Sequence, residues 1–123
     1  MTQSIDERID KLRELVRAGY AMGVKPLRGF TLLSHPLFGG AWCGCALGAA
    51  YVAVRNLPRD EWKSVVSRDA APAVHLNTEE MEAFTGGFDY QGAADTDTRM
   101  TYAESVRPFY ILGREMAEEF KPI

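Results

Sequence analysis

FGGAWCGCALGAAYVAVRN, Phe38 to Asn56, holds both cysteines of the chain, Cys43 and Cys45, inside a run of small apolar residues. Read as a helix over residues 41–55, it has almost no polar face. Ala41, Trp42, Ala46, Ala49, Ala50, Val52, Ala53 and Val54 surround the axis, and a helix apolar on all sides belongs in an interior. Gly40, Gly44 and Gly48 drift along one side and offer a seam for close approach by another helix, from this chain or from a second copy. The expected architecture is mainly α: a compact single-domain bundle, residues 1–123, of about five helices around this buried Gly/Ala-rich central helix.

The flanking sequence supplies the other helices. Ile5, Ile9, Leu12, Val16 and Gly19 recur at helical spacing, Ser4 and Glu7 read as a capping box, and Gly23 and Pro26 end the segment. This predicts a helix over Ser4–Met22. Val24 to Gly40 carries prolines and glycines without a lasting period, so it reads as a connection with one short extended segment near 30–33. After NLPRDEW, Pro58 fits the first turn of a new helix that points Trp62, Val65 and Val66 inward. LNTEEMEAFTGG predicts a helix capped by Asn77 or Thr78 and stopped at Gly86–Gly87. FDYQGAADTDTR reads as a loop. Phe109, Leu112, Met116 and Phe120 form the stripe of a last helix led by Pro108, with Ile111 off that stripe.

Charge narrows the function classes. At 123 residues and net charge −3, with cations interspersed among acids, the chain lacks the basic surface that tracks phosphates, so no nucleic-acid partner is expected. The opening MTQSIDERIDKL has no basic stretch leading into an apolar one, and two cysteines make no disulfide framework. A cytoplasmic protein of prokaryotic type is expected. From Gly29 to Val54 there is no charged side chain, which raises membrane association through residues 37–54. Ser34, His35 and Pro36 cut that run, however, and much of residues 37–54 is glycine or alanine, which disfavours spanning.

Cys43, Cys45, His35 and His75 are the soft ligands available for a tetrahedral metal site. On a helix over 41–55 the two cysteines lie about 200° apart around the axis and cannot hold one ion together. The same geometry opposes a Cys43-Gly44-Cys45 redox pair, unless the helix begins after Cys45. Neither cysteine has a nucleophile-elbow frame, and GGAWCGCALG lacks the lysine of a phosphate loop. The calcium-loop reading from Asp95 fails because Arg99, Met100 and Val106 occupy positions that require an oxygen ligand, a glycine and a glutamate. No cofactor, metal or catalytic residue is therefore expected.

CALGAAYVA, Cys45 to Ala53, resembles a run in small uncharacterised proteins of bacteria and phages. The resemblance spans this run alone and implies an intracellular, mobile-element or accessory role without assigning an activity or a site. What remains is a non-enzymatic helical protein acting through protein–protein interaction, with self-association as one form of it. Gly40, Gly44 and Gly48 form the expected seam. Ile111 and Tyr110, with the nearby aromatics Phe88, Tyr90 and Tyr102, are the other candidate contact residues. A thiol-redox or metal protein using Cys43 and Cys45 is the alternative, and a membrane-associated protein the second.

Overall fold

The computed structural model describes residues 3–90 and 101–123; half of the calcium-loop reading over 95–106 and most of the loop read at 88–99 lie outside them. The chain is mainly α. Among the described residues five helices, α1 (Ile5–Ala21), α2 (Ala46–Arg55), α3 (Ser67–Ala70), α4 (Thr78–Asp89) and α5 (Arg107–Phe120), accompany a small sheet. Its strands are β1 (Lys25–Pro26), β2 (Leu33–His35) and β3 (Ala41–Gly44), in the order β1-β3-β2.

The sheet corrects the reading of the central stretch. Residues 41–44 are strand, not helix, and Cys45 is the N-cap of α2. Alanine and glycine have little intrinsic strand preference; pairing on both sides of β3 imposes the conformation. Lys25 and Pro26 lie parallel to Cys43 and Gly44, while Leu33, Ser34 and His35 run antiparallel to Cys43, Trp42 and Ala41. The β2–β3 turn needs Gly39 and Gly40, both at positive φ (66° and 79°), where a Cβ is disfavoured. The apolar run from Leu37 is thus split between a hairpin and a ten-residue helix. Among the described residues no helix is long and apolar enough to cross a membrane.

Helix α2 is buried over its first half: Ala46 through Ala50 are consecutively buried, while Val54 and Arg55 are exposed. Helix α1 crosses it where Gly19 meets the Ala49 backbone, so closely that a Cβ at Gly19 would overlap the Ala49 carbonyl. Ser4 caps α1 by accepting the Glu7 amide at 3.1 Å. Tyr20, near the other end of α1, donates its hydroxyl to the Gly44 carbonyl at 3.0 Å, fixing α1 to the sheet.

Asn77 caps α4 in a full capping box with Glu80. The helix does not stop at Gly86–Gly87 but continues to Asp89. Gly87 has another purpose: the Tyr110 carbonyl of α5 fills the space a Cβ would need, and the Phe84 carbonyl does the same at Gly113. Two missing side chains let α4 and α5 pack backbone to backbone. The helix predicted after Pro58 is likewise corrected. Arg59–Glu61 is a single 3₁₀ turn, Val65 pairs with Leu32 in an isolated bridge, and Val66 is exposed. Phe84, Phe88, Phe109, Leu112 and Met116 fill one hydrophobic cluster with Val16 and Leu47.

Candidate functional site

The residues singled out by the sequence do not converge. Cys43 is fully buried on β3, its thiol directed to the Ala41 carbonyl at 3.5 Å, and burial raises its pKa against the weaker pull of Lys25. Cys45 is also buried, and desolvation pushes its thiol up to about 11. The amides of Gly48 and Leu47 at the start of α2 favour its thiolate, but burial outweighs them. The later helix start removes the geometric objection to the cysteine pair, and burial supplies a chemical one. His35 sits on the β2–β3 hairpin, where its Nδ1 accepts the Leu37 amide at 3.1 Å and its ring lies 4.9 Å from that of Phe38. His75 ends a 3₁₀ turn beside α1. Among the described residues, no three His, Cys, Asp or Glu side chains are grouped to hold a metal ion.

The glycine seam has an occupant within the chain. Gly44 and Gly48 both face the Thr31 carbonyl, which a Cβ at either position would overlap. Their neighbour is an extended segment, not a helix, and Gly40 belongs to the hairpin turn. Tyr110 is fully buried, its ring 5.2 Å from Tyr102, whereas Ile111 is 47% exposed.

What the sequence reading missed is a cleft beside Trp62. The turn at Arg59–Glu61 carries the chain outward and returns it so that Trp62 is buried. The indole N–H donates to the Leu57 carbonyl at 3.0 Å, Trp42 meets the ring edge-on at 6.0 Å, and the Arg59 guanidinium lies 5.6 Å from it. A half-open cleft of about 660 Å³ lies alongside, with Leu32, Val52 and Trp62 as its buried wall and Tyr51, Leu57 and Val65 partly exposed around it. Arg55, Asp60, Glu61 and Lys63 supply a rim of both signs, with Arg55 6.0 Å over the Tyr51 ring. Past the Leu32–Val65 bridge the surface continues as a second groove of about 450 Å³, where Phe30 and Val66 are half exposed. The signal in the sequence was Trp62 between Pro58 and Val65 among charges of both signs, but a helical reading of 58–66 turned Trp62, Val65 and Val66 together into the core and left no cleft beside them.

Comparison with known protein families, with curated proteins and with solved structures finds no match to this chain.

Proposed function

We propose that this chain acts by binding another protein, and that the elongated Trp62 groove receives an extended segment of the partner. The carrying observation is that two grooves adjoin at the Leu32–Val65 bridge and share Leu32, Ser64 and Val65 in their walls, an arrangement suited to a chain segment laid across both. Its composition supports the reading: an apolar floor, a charged rim, and Trp, Tyr and Arg side chains, the types that carry most binding energy at interfaces. The extended backbone of residues 64–66 and of β2 gives the groove two banks suited to a strand-like occupant.

A photo-crosslinking side chain at Lys63, in protein expressed in its native host, tests this against one at Glu118, exposed on α5. The expected result is a discrete adduct from position 63, absent from position 118 and lost on Tyr51→Ala. An adduct of twice the chain mass identifies a second copy as the partner. The same adducts from both positions, or none from position 63, overturn the reading.

A further inference from the structure

We propose a second site, at the junction of α1, α2 and α5, that binds a small carboxylate with an apolar body the size of a single ring. The pocket holds about 130 Å³ and is walled by Leu12, Leu15, Val54, Val74, Leu76 and Phe109. That volume is below the range of sites for drug-sized ligands and close to that of an apolar cavity that accommodates benzene.

Charge at the mouth sets the ligand class. Arg8, Lys11 and His75 line the pocket, and among the described residues no carboxylate does. Arg8 holds Glu80 in a bidentate pair, at 2.9 and 2.8 Å, and lies 5.2 Å from the centre of the Phe109 ring. Its charge is therefore largely balanced, and its role is to fix the wall. Lys11 is different: it is exposed, and among the described residues it makes no ion pair. Glu7 and Glu14 flank it along α1 but do not line the pocket. His75 stands at φ 60°, a left-handed conformation uncommon for a side-chain-bearing residue. That conformation accompanies a bond from Arg8 Nη2 to the His75 carbonyl at 3.1 Å, which closes one side of the mouth. A ring seated against Leu15 and Val54, the walls that are open to solvent, would leave its carboxylate within the field of Lys11, as an ammonium at an apolar mouth favours an anion over a neutral isostere.

Calorimetric titration with sodium benzoate, benzyl alcohol and sodium acetate separates ring from charge. Benzoate is expected to bind, and the other two to bind at least about tenfold more weakly. Lys11→Met is expected to reduce benzoate affinity by a similar factor. Val54→Phe, at a 40% exposed position where folding tolerates the change, is expected to fill the pocket and abolish binding. No heat with benzoate, equal binding of benzyl alcohol, or full affinity in Val54→Phe overturns the proposal.

Discussion

Gly48 is the residue at which the central helix meets the rest of the chain most closely. Replacing it with alanine gains about 1 kcal/mol of helix propensity, but the added Cβ overlaps the Thr31 carbonyl, a backbone atom that cannot swing aside. The expected net loss is about 1–3 kcal/mol, read as a lower denaturation midpoint. Gly86→Ala is the matched control. There the same gain in helix propensity is opposed only by the end of the Tyr102 side chain, which can move, so the change should lie between neutral and about 1 kcal/mol of stabilisation. The cysteines make a second prediction at this scale. With its thiol held near 11 by burial, Cys45 is about 0.1% thiolate at pH 8, and Cys43 is buried too. Neither should react with an aromatic disulfide reagent in native buffer, and both should react after denaturation. Rapid labelling of either one in the folded protein would reopen the thiol reading.

Elements are joined by ion pairs as well as by close backbones. Glu80 closes the capping box of α4 and accepts both Arg8 nitrogens from α1, and these bonds hold its pKa below the ordinary carboxylate value of 4.5. A depressed folded pKa means that the native state binds fewer protons than the unfolded chain in that range. The stabilisation is therefore complete above 4.5 and is lost as the pH falls through the depressed value. Glu80→Gln should cost about 1–2 kcal/mol at pH 7, a difference that shrinks steadily in urea melts below pH 4.5. The parallel pairs Arg13–Glu115 and Arg17–Glu119 bind α1 to α5 at a more exposed surface, where each contributes less. Helices whose signals are local were readable from sequence: α1 from Ser4 and its stripe, α4 from Asn77, α5 from Phe109 through Phe120. Elements set by long-range contact were not. Ala41–Gly44 becomes a strand only because β1 and β2 flank it, and Gly86–Gly87 remains helical only because α5 packs there. The Trp62 cleft was hidden for the same reason, since Leu32 and Val65 meet across more than thirty residues of chain.

At the scale of the whole molecule, one hydrophobic cluster reaches from Leu12 of α1 to Ala117 of α5, and Gly44 ties its sheet and helices together. The Gly44 carbonyl accepts both the Leu27 amide, at 3.1 Å, and the Tyr20 hydroxyl, while its missing side chain makes room for Thr31. A leucine at this position would displace backbone on one face and strain three attachments at once. Gly44→Leu should therefore lower stability by about 3 kcal/mol or more, enough to erode the cooperative transition of a marginally stable domain. Ile111→Asp is the contrasting test, because Ile111 is exposed and outside the core; its transition should stay within about 0.5 kcal/mol of the parent. Thermal unfolding followed by circular dichroism, with sedimentation of both variants, separates folding from association. A Gly44→Leu protein that unfolds like the parent but sediments at lower mass would return the glycine side to a seam between copies, whereas loss of its transition assigns that side to the fold of a single chain.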